Sequence, residues 1–284
     1  MIRQAARRAA RWVTEPLRLP LRESMWRQKD KASFVRRFAL VNRIDLGWPI
    51  KVSFDDDDLV VDDGQSRLSI AQTSRVALYR YGIAERLRRL EGEYLLTGVP
   101  IRSEHTVVDV GANIGEVSRL LAGRSGCRLI CVEPEAEEFR CLQRNVGPFR
   151  AACHNTLLWS TEETLKFYSK NDTGDSTVFE IAGYTSVREV KATTLDRILD
   201  ESGVGRVRLV KLEAEGAEPE ILDGARRWLE RIDYIAADLG PERGVSQEST
   251  APAVIQRLLE AGFVFQRANA PRLVCLFMNP AAKP

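Results

Sequence analysis

The chemistry of this chain is concentrated first in Val107-Val108-Asp109-Val110-Gly111-Ala112-Asn113-Ile114-Gly115, an apolar run that enters a turn of small residues and then a helical pattern. Gly111 allows a sharp backbone turn, Gly115 allows a ligand or the next helix to come close, and the helix start offers N–H groups. Such a strand, turn and helix cradles a nucleotide-like ligand. A dinucleotide fingerprint would require glycine at 111, 113 and 116, whereas this chain carries Asn113 and Glu116. Glu116 would set a carboxylate where a pyrophosphate lies, which disfavours nicotinamide dinucleotides.

The acidic-then-glycine loop instead suits S-adenosylmethionine, which carries an amino acid and a sulfonium in place of phosphates. Glu133 stands 24 residues after Asp109, at the expected carboxyl end of the next strand, where an acid can accept from both ribose hydroxyls. Taken singly, the glycines could form an ordinary turn and Glu133 an exposed strand end. Their joint spacing favours a cofactor site comprising Asp109, Gly111, Asn113, Gly115 and Glu133.

A second constellation is Lys211-Leu212-Glu213-Ala214-Glu215-Gly216-Ala217-Glu218-Pro219. Ligands of open α/β sheets bind beyond the carboxyl ends of strands at the switch point, so a strand ending here would bring its acids to the cofactor. Glu213 and Glu215 share a side if the strand continues, Glu218 can cap a helix begun by Pro219, and Lys211 can pair with a neighbouring carboxylate. Glu213, Glu215 and Asp238 are the expected catalytic residues. His154 has a suitable ordinary pKa, but a lone histidine on an apolar strand is more often a satisfied core residue. The acids could alternatively hold a divalent ion; the expectation is a metal-free site, because Lys211 supplies a competing positive charge.

These residues need a scaffold, and the 284-residue chain can supply one elaborated domain or two small ones. Hydrophobic residues make up 44% and charged residues 29%, a globular balance, and the formal charge of +2 gives no reason to expect a nucleic-acid partner. The five cysteines (Cys127, Cys131, Cys141, Cys153, Cys275) follow no zinc spacing and are expected to be reduced, and two histidines cannot build a multi-histidine metal site. With no spanning apolar run and no secretory h-region, the expected location is cytoplasmic.

Residues 1–100 read as an N-terminal extension. A basic arm, with Arg3, Arg7, Arg8, Arg11, Arg18, Arg22, Arg27, Lys29, Lys31, Arg36 and Arg37, permits helices; docking on the core is favoured over contact with an anionic membrane face. Three β-like runs follow between Pro49 and Ile70, with Asp55 to Asp58 read as a solvated turn, and Arg75 to Leu95 has helical spacing. From about Pro100 strands and helices alternate. Strands are expected at Thr106–Val110, Arg128–Val132, Ala151–Leu158, Val207–Leu212 and Tyr234–Asp238, and helices at Glu116–Ala122, Glu135–Val146, Pro219–Arg231 and Ala251–Ala261. An inserted hairpin fits Thr164–Tyr168 with Glu189–Thr194, and Phe263–Gln266 with Leu273–Met278 reads as a closing antiparallel pair.

Across residues 75 to 268 the chain resembles the FkbM-type S-adenosylmethionine-dependent methyltransferases. The resemblance rests on VVDVGANIGEVS (107–118), CVEPEAEEFRCLQRNV (131–146), TLDRIL (194–199), VKLEAEGAEPEILDGA (210–225) and DLGPERG (238–244), with Glu213 where the family usually has Asp. It implies an α/β, Rossmann-like class I methyltransferase with a mostly parallel seven-stranded sheet over residues 101–284. It also implies O-methylation of a sugar, glycan or secondary-metabolite hydroxyl. His154-Asn155 before Leu157-Leu158-Trp159, and Asp175-Ser176-Thr177, look like the family's adenine and substrate loops, which adds Leu157 to the expected cofactor contacts. The rival readings are a non-enzymatic nucleotide-binding or interaction module, and a methyltransferase of protein or RNA.

Overall fold

The structure, a computed structural model, describes residues 19–28, 30–170, 176–270 and 272–282. Arm residues Arg3 to Arg18 and Lys29, and Asp175 of the expected substrate loop, lie outside the described residues. The chain divides into one compact unit that ends at Arg86 and a second that begins at Leu87.

In the first unit, helix α1 (Lys31–Val41) starts where the Asp30 carboxylate accepts from the Ser33 N–H at 2.7 Å, and buries Phe34, Phe38 and Val41 at helical spacing. Strands β1 (Lys51–Asp55), β2 (Asp58–Asp62) and β3 (Arg67–Ile70) form the expected antiparallel meander. Asp58 is buried at the start of β2, so the four aspartates are not one solvated turn. The helix expected over Arg75–Leu95 is broken. A short 3₁₀ turn (Thr73–Tyr79) and helix α2 (Ile83–Glu93) are separated by Gly82 at φ +93°, a conformation that only glycine adopts easily.

The second unit runs in chain order through β4 (Thr106–Val110), α3 (Glu116–Ser125), β5 (Arg128–Val132), α4 (Ala136–Val146), β6 (Ala151–His154), β7 (Leu157–Leu158), β8 (Thr164–Ser169), β9 (Ser176–Thr177) and β10 (Ser186–Thr193). It continues with α5 (Leu195–Glu201), β11 (Val207–Leu212), α6 (Glu218–Asp223), β12 (Ile232–Asp238), β13 (Pro241–Arg243), β14 (Glu248–Ser249), α7 (Ala251–Glu260), β15 (Val264–Asn269) and β16 (Val274–Met278). Seven strands form one sheet in the order β15-β16-β12-β11-β4-β5-β6, parallel from β12 to β6, with β16 antiparallel to both neighbours.

Burial on both faces explains the continuous apolar text of the central strands. Strand alternation sends Val108, Val110, Ile130, Val132, Val210 and Leu212 into one core and Val107, Leu129 and Leu209 into the other. Leu90, Tyr94, Leu96 and Val99 also bury in the second core, so the lead-in that was expected before a boundary at Pro100 packs with the sheet.

Two expected elements are cut short. The strand expected over Ala151–Leu158 ends at His154; Leu157 and Leu158 leave the main sheet to pair with Ala192 and Thr193 of β10, beside the predicted hairpin β8–β10. The helix expected over Pro219–Arg231 ends at Asp223. A side chain on Gly224 would meet the Trp159 carbonyl at 2.2 Å, and the Gly224 carbonyl accepts from the Asp196 N–H at 2.9 Å. All five cysteines are free thiols. Among the described residues no helix is long and apolar enough to cross a membrane.

Candidate active site

The loop between β4 and α3 has the geometry that its small residues require. Gly111 lies at φ +64°, and a Cβ there would come to 1.9 Å from the Glu213 carbonyl, so the loop is pressed against the end of β11. Gly115 lies at φ +85°, where a Cβ would meet Leu142 at 2.7 Å and Val146 at 3.0 Å; it is the close approach of α4 that this glycine permits. Asn113 is also left-handed, at φ +49°, and the buried Asn145 amide donates to the Ile114 carbonyl at 2.8 Å. Asn tolerates this conformation better than most side chains.

Glu133 immediately follows β5, directly beside this loop. Its Oε2 accepts from the Asn113 N–H and its Oε1 from the Glu135 N–H, both at 2.8 Å. Burial pushes its carboxyl up to about 8, against the lowering effect of those two N–H groups. Each oxygen keeps a second lone pair, so the group can still accept from ligand hydroxyls. Asn155 donates to the Glu133 carbonyl at 2.9 Å and fixes the strand end from the other side.

Asp109 is buried between β4 and its neighbours. It is 1% exposed, its Oδ2 accepts from the Ser118 hydroxyl at 2.7 Å, and its Oδ1 lies 3.2 Å from Lys211 Nζ. Asp109 and Lys211 are register partners on β4 and β11. The ammonium also reaches Glu213 Oε2 at 3.1 Å and donates to the carbonyls of Val110 at 3.1 Å and Gly111 at 2.6 Å. One buried cation therefore ties both strands and the glycine loop together, and the contribution of Asp109 to the loop is made through it. Lys211 remains charged: burial lowers its pKa, but Asp109 and Glu213 raise it more.

Beyond β11 the expected acids separate. Glu213 is bound by Lys211, by Arg272 Nη2 at 2.6 Å and by the Tyr94 hydroxyl. Burial raises its pKa, but Lys211 and then Arg272 outweigh this and hold it at about 2, which makes it a poor proton acceptor near neutrality. The strand does not continue to Glu215, which turns left-handed at φ +49°, so it does not share a side with Glu213 in the manner of an extended strand. The Glu215 carbonyl accepts from Thr177 Oγ1 at 2.8 Å, which attaches the expected substrate loop to this end of the sheet. Glu218 Oε1 accepts from the N–H groups of Ala214 at 2.8 Å and Gly216 at 3.2 Å, so it caps the preceding loop rather than the helix it begins.

Asp238 ends β12, 2.6 Å from the same Arg272 Nη2, yet burial still raises its carboxyl above the ordinary range. Glu242 is raised to about 7 by burial, then by the carboxylates of Asp238, Glu213 and Glu218. Tyr94, Arg272 and Glu242 were not singled out in the sequence. Glu242 lies inside the DLGPERG motif, where its position next to Asp238 was available; Tyr94 and Arg272 come from distant segments that only the fold brings together.

Two further positions lie at the β6 edge of the main sheet and in the inserted sheet. His154 ends β6, and burial lowers its pKa; Leu157 is buried with Phe167 and Ala192 in the inserted sheet. Ser169 and Ser176 both donate to Glu135 Oε1, whose Oε2 pairs with Arg188 at 2.8 Å.

A glycine loop on the first strand, an acid ending the second, and a seven-stranded sheet closed by one antiparallel strand define a Rossmann-like class I methyltransferase fold. The chain belongs to the FkbM methyltransferase family, whose domain matches residues 109–265. It is 22% identical over 186 residues to the 2-O-methyltransferase NoeI of Sinorhizobium fredii, covering 59% of this chain and 76% of that protein. Among solved structures it is similar to magnesium protoporphyrin IX methyltransferase from Synechocystis PCC 6803 with bound SAM. That match has 11% identity and a TM-score of 0.39, covering 70% of this chain and 79% of that one. It is also similar to precorrin-6y C5,15-methyltransferase from Geobacter metallireducens, with 12% identity and a TM-score of 0.38 over 64% and 84% of the two chains.

Proposed function

We propose that this protein is an S-adenosylmethionine-dependent O-methyltransferase that acts on a hydroxyl of a sugar, glycan or secondary metabolite. The observation that carries the reading is the buried Glu133 carboxyl, hydrogen-bonded to the Asn113 N–H beside a loop in which Gly111 leaves no room for a side chain. These residues fit the cofactor: Glu133 would accept from its ribose hydroxyls, and the turn at Gly111 to Gly115 would cradle its amino-acid end. When bound, the cofactor supplies an electrophilic methyl group on a cationic sulfur.

The chain must hold an acceptor oxygen in line with that methyl and remove its proton. Positioning supplies much of the acceleration, and a proton acceptor adds ~10² to 10⁴-fold. Of the acids near the strand ends, Glu242 at about 7 and the raised Asp238 are matched to that task. Glu213, at about 2, is a positioning residue that holds Arg272 and Tyr94. Glu215, where the Thr177 loop attaches, would contact the acceptor. No step requires a metal ion.

The acceptor class is tested by incubating sugar, glycan and metabolite pools with the protein and isotope-labelled S-adenosylmethionine, then locating the label by mass spectrometry. Label on hydroxyl oxygen supports the proposal. Label found on nitrogen or carbon, or in protein or RNA only, contradicts it.

A further inference from the structure

The cofactor loop occupies the carboxyl ends of the parallel strands, but a cavity of about 540 Å³ opens at their amino ends. Its walls carry Arg128 at the start of β5, Arg150 just before β6, and Arg206 and Arg208 at the start of β11. Among the described residues its only acids are Glu104 and Asp233, so there four guanidinium charges face two carboxylates, an excess of two positive charges. The five residues of β4, at ~3.3 Å each, put this cavity roughly 15 Å from the glycine loop. It is a separate site.

The excess charge is held in place by neutral groups. Asp233 is shared, taking Arg206 Nε at 2.5 Å and Arg208 Nη1 at 2.9 Å, while Arg208 Nε donates to the Pro100 carbonyl at 2.7 Å. Arg128 donates to the Ser202 carbonyl at 2.7 Å and Arg150 to the Ser103 carbonyl at 3.4 Å. Among the described residues neither of these two arginines is paired with a carboxylate. Backbone carbonyls orient the forks without neutralising them, and a concave wall of one charge concentrates the field.

His105 adds a neutral donor. Its Nδ1 accepts from the Arg102 N–H at 3.0 Å, which leaves the ring proton on Nε2. Burial, and then the Arg208 charge, hold its pKa below the usual histidine range, so the ring is uncharged near neutrality.

We infer that this amino-end cavity binds an anionic, phosphate-bearing ligand, gripped by Arg128 and Arg150. Guanidinium forks match phosphate oxygens two at a time, and the cavity has the size of an ordinary small-ligand pocket. A soluble phosphorylated compound and the phosphate of a lipid headgroup share this chemistry.

Calorimetric titration of the full chain with pyrophosphate in about 50 mM salt tests the soluble source, and co-sedimentation with phosphatidylglycerol vesicles against phosphatidylcholine vesicles tests the lipid. The expected result is binding of one probe that weakens about ten-fold or more in Arg128→Gln/Arg150→Gln and is unchanged in Arg226→Gln, which lies outside the cavity. Arg150→Gln alone, at an exposed side chain, should give a smaller loss with unchanged circular dichroism, which separates a binding defect from a folding one. Pyrophosphate binding assigns the site to soluble phosphates, and selective sedimentation with phosphatidylglycerol assigns it to lipid. Binding of neither probe, or equal binding by the wild type and both arginine variants, overturns the inference.

Discussion

Residues 109–115 take their shape from one continuous stretch of chain, whereas the acid cluster beside them is assembled from Tyr94, Glu213, Asp238, Glu242 and Arg272. In the loop, specificity lies in backbone conformation: Gly111 and Gly115 have positive φ, and each would collide with a neighbour if it carried a side chain. In the cluster it lies in charge: the three carboxyls of Glu213, Asp238 and Glu242 crowd Arg272 and Lys211, and the cations determine which acids stay ionised. A local device is readable from adjacent letters. An assembled one is not, because its members are joined only by the sheet.

If the loop depends on backbone geometry, Gly111→Ala should have the largest effect of any single methyl group in the site. A Cβ 1.9 Å from a backbone carbonyl cannot be relieved by rotating a side chain. The expected loss is more than about 3 kcal/mol of stability together with loss of cofactor binding, read by thermal melts and calorimetry. Gly115→Ala faces the flexible end of Leu142 and should cost only roughly 1 to 2 kcal/mol. Equal effects at the two positions would remove the contrast.

Lys211 belongs to both regions, so Lys211→Met should damage both. It strands the buried carboxylate of Asp109 and removes one partner of Glu213, at a cost of about 3 to 5 kcal/mol in denaturant unfolding. A variant as stable as wild type would show that the ammonium is not the link between the regions.

Within the cluster, the two ends of the pKa range should behave differently. With an accepted hydroxyl substrate, Glu242→Gln should lower turnover ~10² to 10⁴-fold at unchanged cofactor affinity and remove a rise in rate with pH centred near 7. Glu213→Gln should keep that rise. Because the Glu213 pKa is depressed in the folded state, its contribution to stability is present above about 4.5 and is lost as the pH falls towards 2. Acid denaturation should therefore be shallower in Glu213→Gln, and an identical acid limb would mean that Glu213 is not held by Lys211 and Arg272.

A smaller effect concerns Glu133. Its pKa is raised to about 8, so the ligand-free folded state binds more protons than the unfolded chain between pH 4.5 and 8, and this group reduces stability as the pH rises through that window. A ligand whose hydroxyls donate to the carboxylate would lower that pKa and release a proton. S-adenosylmethionine affinity should consequently increase by up to about ten-fold per pH unit below 8, checked by calorimetry in buffers of different ionisation enthalpy. Affinity independent of pH would place Glu133 away from the ribose.

The same contrast explains what could be read in advance. The central strands, the glycine loop, the position of Glu133, the meander and the closing antiparallel pair follow from apolar runs, glycines and their spacing, which are local signals. The Lys211–Asp109 pair was half legible, since a lysine in a buried strand needs a carboxylate, although its register partner could not be named. The misplaced ends have tertiary causes. The strand after Ala151 stops where Asn155 turns to hold the Glu133 carbonyl, and the helix after Glu218 stops where the Trp159 carbonyl abuts Gly224. Arg272 could not be found because nothing near it in the chain indicates the carboxylates of Glu213 and Asp238, 59 and 34 residues away.

The central claim, that the Gly111 loop and Glu133 form a methyl-donor site, is tested most directly by calorimetric titration of S-adenosylmethionine into wild type and Glu133→Ala, with a nicotinamide dinucleotide as control. Wild type should bind S-adenosylmethionine and not the dinucleotide, and Glu133→Ala, still folded by circular dichroism, should bind it more weakly by roughly 1 to 3 kcal/mol. Dinucleotide binding without a response to S-adenosylmethionine, or an affinity unchanged by Glu133→Ala, would contradict it.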